Sequence, residues 1–261
     1  MPTSPSKRAL VIGINYFGTS DELGGCVNDA ATMAAILRGK SYAVTVLCDR
    51  PSDPKWTRAD APTGANIRRA MMHLIAATHP GDTLYIHYSG HGMQTRDTSG
   101  DEEDGLDEGI CPVDVDTNGC IWDDELNRIL VLGIADGARL RVIFDCCHSG
   151  TALDLPFMWR SGIDGCMNRV GASTAPASKD VILLSGCDDP ETAADTTFAG
   201  KSAGAMTRSV ALALADMHSG GKFSWRDLCD TSRLWLRKNS YTQVPQLTTS
   251  RASDIDAAVD I

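Results

Sequence analysis

Five short apolar runs, most of them separated by helical stretches, most constrain what this sequence can form. They are Arg8–Asn15 (RALVIGIN), Tyr42–Cys48 (YAVTVLC), Asp82–Tyr88 (DTLYIHY), Leu140–Phe144 (LRVIF) and Asp180–Ser185 (DVILLS). Runs that lack polar alternation read as strands buried on both faces. Between them, Asn28–Leu37 reads as an Ala-rich helix capped by Asn28 or Asp29, and Ala65–Ala77 as a second helix behind Pro62-Thr63-Gly64. Trp122–Leu132 follows with Asp123 and Asp124 at its start, then Ala205–Met217 and Trp225–Lys238. A terminal strand or tail begins at Gln246. This alternation gives an α/β fold with a mostly parallel central sheet flanked by helices on both faces. The remaining stretches read as loops: Met93–Asn118, with a short strand near Gly109–Pro112, then Leu155–Ser178 and Thr192–Gly204. A chain of 261 residues, 43% hydrophobic and 22% charged, suits one domain over 1–261, with 1–7 as a flexible segment.

Charge narrows the function classes. The net charge of −10 opposes nucleic-acid binding, which needs a cationic field to displace phosphate counterions. Much of the acidity is concentrated between Asp101 and Asp124. No apolar run is long enough for a membrane span, and MPTSPSKRAL has no signal-peptide core. Nine cysteines, an odd number without zinc-type CxxC spacing, fit free thiols in a reducing, cytoplasmic setting.

Two motifs sit at the carboxyl ends of apolar strands, where α/β sheets bind ligands. YSGHG follows the third strand and DCCHSG the fourth. A cysteine nucleophile needs a base beside it and donors for the developing oxyanion. His91 supplies a base between Gly90 and Gly92, whose lack of Cβ leaves room for a substrate backbone. The amides of Gly92 and Cys147 are candidate oxyanion donors. Cys147 lies 56 residues after His91, far enough for a crossover that makes their strands neighbours. His148 is a rival base and Cys146 a rival nucleophile, although alternation along an extended chain turns Cys146 away from Cys147's side.

YSGHG and DCCHSG, each after a hydrophobic strand, resemble the catalytic motifs of caspase-like peptidases, and in particular of metacaspases. The resemblance runs from ALVIGIN through GCVNDA to Pro245-Gln246-Leu247. The short gap between Gly150 and Asp180 resembles the type I arrangement. It implies a monomeric cysteine endopeptidase that cleaves after Arg or Lys. By motif, the substrate pocket is Cys26, Asp29, Ser89 and Asp145, and two carboxylates suit a guanidinium or ammonium group. For Asp29 alone, a helix cap is the simpler reading. The adjacent pair Asp123-Asp124 exceeds what capping requires. The family's activating Ca2+ maps onto Asp107, Asp123, Asp124 and Asp154, with Asp104 an alternative to Asp107. Self-cleavage is expected in the loop 196–204, after Lys201. Rival classes are an inactive scaffolding homologue and a caspase-like enzyme of acidic specificity. The intact Cys147 opposes the first; the absence of Arg from GCVNDA and YSGHG opposes the second.

Overall fold

The computed structural model describes residues 5–50, 57, 59–96, 105–147, 149–159, 167–169, 176, 178–186, 195–198, 201–216 and 223–261. Each apolar run forms a strand: β1 (Lys7–Gly13), β2 (Ala43–Cys48), β3 (Thr83–Ser89), β7 (Arg139–Asp145) and β10 (Asp180–Ser185). Three antiparallel strands extend the sheet, namely β13 (Gln246–Thr249), β8 (Phe157–Trp159) and β9 (Met167–Arg169). The order is β2-β1-β3-β7-β10-β13-β8-β9, with the first five parallel. The sheet is therefore mixed. Strand β1 starts within the segment expected to be flexible, and the Ser6 amide already bonds Asp82 Oδ1 at 2.7 Å.

Alternation along each strand divides two cores. Leu84, Ile86 and Tyr88 of β3 face one layer with Leu10 and Ile12 of β1. Tyr85 faces the other layer with Ala9 and Val11. Helix α2 (Gly64–Ala76) covers the first layer through Ile67, Met71 and Leu74, and Thr63 caps it by accepting the Asn66 amide. Helices α1 (Cys26–Gly39), α5 (Ala205–Asp216) and α6 (Trp225–Lys238) cover the second through Met33, Val210 and Leu228.

Three loop expectations are corrected. The stretch 93–118 contains β4 (Gly92–Arg96), β5 (Leu106–Ile110) and the short α3 (Val115–Asn118), and with β6 (Ile121–Trp122) it makes a three-stranded antiparallel sheet. The stretch 155–178 contains β8 and β9. The stretch 192–204 contains a hairpin, β11 (Asp195–Phe198) with β12 (Lys201–Gly204), which pairs Phe198 with Lys201. Polar and small residues hid most of these strands, because ladder hydrogen bonds form without an apolar pattern, and β8 (Phe157–Trp159) is apolar but only three residues long. The helix α4 (Asp123–Leu126) continues as a π-helical turn over Asn127–Val131.

Candidate active site

Parallel pairing of β3 with β7 places Ser89 opposite Asp145. His91 and Cys147 each lie two residues beyond that pair, so the register brings YSGHG and DCCHSG to the same level on neighbouring strands. The contact is close: a Cβ on Gly92 would collide with the Cys147 carbonyl. A Cβ on Gly90 would collide with the Tyr88 hydroxyl. Gly92 therefore lets the two motif loops pack together, Gly90 makes room for the Tyr88 and Tyr16 hydroxyls, and the space expected to admit a substrate backbone is filled by protein. Cys147 is half-buried, whereas Cys146 is fully buried and burial raises its thiol pKa. His148 lies outside the described residues.

The surroundings of His91 were not legible in the sequence. Its Nε2 lies 2.8 Å from the Asp21 carbonyl, which can only accept, so Nε2 carries the proton and leaves Nδ1 as the basic nitrogen. The Tyr16 ring lies 4.8 Å from the imidazole, centroid to centroid. The Tyr16 hydroxyl accepts the His91 amide at 3.0 Å and donates to the Cys111 carbonyl at 2.6 Å. The Tyr88 hydroxyl donates to the His91 carbonyl at 2.7 Å. Burial raises both phenol pKa values and keeps these groups protonated. The only signal for Tyr88 was its place in YSGHG; Tyr16 and Asp21 came from a loop with no pattern.

The expected pocket residues converge. Asp29 is 2% exposed within the first turn of α1, and Gly25 takes the cap position without a side-chain bond. The helix-cap reading of Asp29 is thereby replaced by a tertiary one. Its carboxylate accepts the Ser89 hydroxyl at 2.8 Å and the Gly204 amide at 2.9 Å. Asp145 accepts the Thr207 amide at 2.7 Å. A Cβ on Gly204 would collide with both carboxylates. Cys26 is buried at the start of α1, three residues before Asp29 and so on the same helix face. This geometry can hold a cation between two carboxylates; in this conformation the chain's own amides engage them. Thr207 and Gly204 were missed, because a backbone amide carries no residue-type signal.

The acidic residues are partly gathered. Asp123 accepts the amides of Glu108 and Asp124. Burial pushes its pKa up to about 6 against those hydrogen bonds, and the charges of Asp107 and Asp124 add to the rise. Asp104 lies outside the described residues. Asp154 sits on the loop after Cys147 with φ of +48°, and the adjacent Leu153 carbonyl accepts Asn127 Nδ2 at 2.8 Å. All-oxygen donors under mutual repulsion fit a hard cation such as Ca2+. Among the described residues, no three such side chains are already set as a metal cage. Glu108, fully buried, was missed. It accepts Gln94 from β4 and the Thr151 hydroxyl from the Cys147 loop, at 2.9 and 2.6 Å. No described helix is long and apolar enough to cross a membrane.

Residues 7–156 match the model of the metacaspase, peptidase C14 domain. Metacaspase-3 of Trypanosoma cruzi (strain CL Brener) is 40% identical over 264 residues, covering 95% of this chain and 72% of that protein. Metacaspase-1 of Mycosarcoma maydis is 36% identical over 296 residues, covering 96% and 72%. A crystal structure of a protein from Geobacter sulfurreducens superposes with a TM-score of 0.69 at 27% identity, covering 98% of both chains. With a caspase-like α/β fold and relatives of this similarity along almost its whole length, the chain belongs to the metacaspase family of C14 cysteine peptidases.

Proposed function

We propose that the protein is a calcium-activated endopeptidase that cleaves after Arg or Lys, with Cys147 as nucleophile and His91 as general base. The observation that carries this reading is the β3–β7 register, which sets both motifs at one level above the Asp29–Asp145 pair. Nδ1 of His91 takes the Cys147 proton, and the thiolate attacks the scissile carbonyl carbon. The amides of Gly92 and Cys147 bind the oxyanion. The imidazolium then protonates the leaving amine, and water hydrolyses the thioester with His91 again as base. The Asp21 carbonyl fixes the ring tautomer throughout.

Cys26, Asp29, Ser89 and Asp145 form the pocket for the basic side chain. Its occupation requires Gly204 to withdraw from Asp29. Lys201 lies three residues upstream in β12, so self-cleavage after it frees the strand that carries Gly204. Asp107, Asp123, Asp124 and Asp154 would hold calcium, whose charge offsets their repulsion beside the Cys147 loop; a requirement of about 10⁻⁴ to 10⁻³ M suits a site that must be gathered. The catalytic domain acts as a monomer in the cytoplasm in this reading.

The test is turnover of matched peptides ending in Arg, Lys or Asp, in calcium or a strong chelator, by the wild type and Cys147→Ala. Calcium-dependent release after Arg and Lys, lost in Cys147→Ala, is expected. Preference for the Asp peptide overturns the specificity, full activity in chelator removes calcium, and an active Cys147→Ala removes the nucleophile.

A further inference from the structure

Beside the catalytic motifs lies a second pair of thiols that the proposed reaction does not use. Cys111 follows β5 and Cys120 precedes β6. These strands pair Gly109 with Trp122 and Ile110 with Ile121, so the next pair in register is Cys111 with Cys120. Their sulfurs lie 3.6 Å apart. A disulfide needs about 2.05 Å, and opposed residues of an antiparallel pair bring their Cβ atoms to roughly the spacing it requires. Both side chains are buried, at 1% and 7% exposure. The Met93 sulfur lies 3.9 Å from Cys120 and belongs to a residue 48% exposed, so the pair sits just under the surface.

We propose that Cys111 and Cys120 are a reversible oxidation site: a hydroperoxide closes them into a disulfide, and closure shifts the backbone that holds His91. Cys120 is the more accessible sulfur, at 7% exposure against 1% for Cys111 and in contact with the exposed Met93, so it is the sulfur oxidised first. The Cys120 thiolate attacks one peroxide oxygen and the O–O bond breaks. Cys120 becomes a sulfenic acid, and the other peroxide oxygen leaves as hydroxide, which the proton given up by the Cys120 thiol converts to water. The Cys111 sulfur then attacks the Cys120 sulfur, the S–O bond breaks, and a second water carries off the Cys111 proton. Two thiols lose two electrons and two protons, and the peroxide takes up both. A dithiol reductant reverses the change.

The link to His91 is the Cys111 backbone. Its amide donates to the His91 carbonyl at 3.1 Å. Its carbonyl accepts the Tyr16 hydroxyl that also holds the His91 amide. Drawing the sulfurs together by more than an ångström pulls on both tethers. Bond formation is independent of the peptidase reading; only its consequence for turnover rests on it.

The test uses the Cys147→Ala variant of this chain, so that the reactive Cys147 thiol does not compete. It is treated with a small excess of hydrogen peroxide, alkylated in denaturant and mapped without reduction. A cross-linked peptide joining 111 to 120, lighter by two hydrogens and released by dithiothreitol, is expected. Cys120→Ser and Cys111→Ser in the same background should each lose it. In protein with labelled histidines, the His91 ring resonances should move on oxidation and return on reduction. Alkylation of both cysteines after peroxide, cross-links from either to Cys146, or oxidation confined to Met93 overturns the site. An unmoved His91 resonance in cross-linked protein overturns the coupling while leaving the proposed dyad untouched.

Discussion

Two adjacent cysteines meet opposite surroundings. Cys146 is fully buried, and its raised pKa keeps it a thiol; Cys147, next in the chain, is half-buried against the Gly92 backbone. Cys147→Ala is expected to lower peptide turnover by about three orders of magnitude or more, with His91→Ala close behind, because nucleophile and base act as a unit. Cys146→Ala should retain most activity. Steady-state assays of the three variants check this, and equal losses in the two cysteine variants would refute the assignment. His87 is a different case. It is wholly buried on β3, its Nε2 lies 2.9 Å from the Thr207 hydroxyl, and burial lowers its pKa to about 3. In the unfolded chain it titrates near 6.5. Between these values the unfolded state binds a proton that the native state refuses. The native state is therefore penalised as pH falls below about 6.5, by about 1.4 kcal/mol per pH unit, and this group adds no slope above that. Urea unfolding of wild type and His87→Gln at pH 7, 6 and 5 measures it; the variant should lose that part of the slope while keeping a partner for Thr207.

At the scale of elements, helix ends and strand pairs carry separable energies. Helix α6 begins with a capping box. Ser224 accepts the Asp227 amide, and the Asp227 carboxylate accepts the Ser224 amide at 2.8 Å. Ser224→Ala should cost about 1 kcal/mol in chemical denaturation, with turnover per folded molecule unchanged. A loss below about 0.3 kcal/mol would mean that solvent satisfies these amides equally well. The β11–β12 hairpin carries the other prediction. Protease substrates bind extended, and β12 is already extended but paired with β11. Calcium added to purified protein should generate a new N-terminus at Ser202, read by mass spectrometry. Neither Cys147→Ala nor Lys201→Gly should generate it. An intact chain under conditions where peptides are cleaved would show that the hairpin protects this bond.

On the scale of the whole molecule, one buried cation fastens distant parts together. Arg141 on β7 is 2% exposed and holds Asp260 through Nε and Nη2 at 2.7 and 3.1 Å, and Asp180 through Nη1 at 2.6 Å. The Asp260 carbonyl accepts the Tyr42 hydroxyl from the α1–β2 connection at 3.1 Å. The clasp is at the amino ends of the parallel strands, opposite His91 and Cys147. Asp260→Ala leaves a buried guanidinium with half its compensation, so a loss of about 3 kcal/mol is expected. Thermal or urea unfolding measures it. Peptide turnover at a temperature where the variant is folded should match the wild type, and a selective loss of turnover would place Asp260 in the site instead.

The sequence alone determined the five parallel strands, because runs such as ALVIGIN and LYIHY can be buried on both faces only in a covered sheet. It also determined which tips carry His91 and Cys147, since equal offsets past two neighbouring strands follow from local order. Apart from the strand expected from Gln246 and the short one near Gly109–Pro112, the antiparallel strands were decided by tertiary structure. Segments such as 195–198 and 201–204 pair by backbone hydrogen bonds that no side-chain pattern announces. The same holds for the partners of the site. The Asp21 carbonyl on His91 and the Gly204 and Thr207 amides on Asp29 and Asp145 all join residues far apart in the chain. A main-chain donor or acceptor is present at nearly every residue, so only the folded path selects which one arrives at the charge.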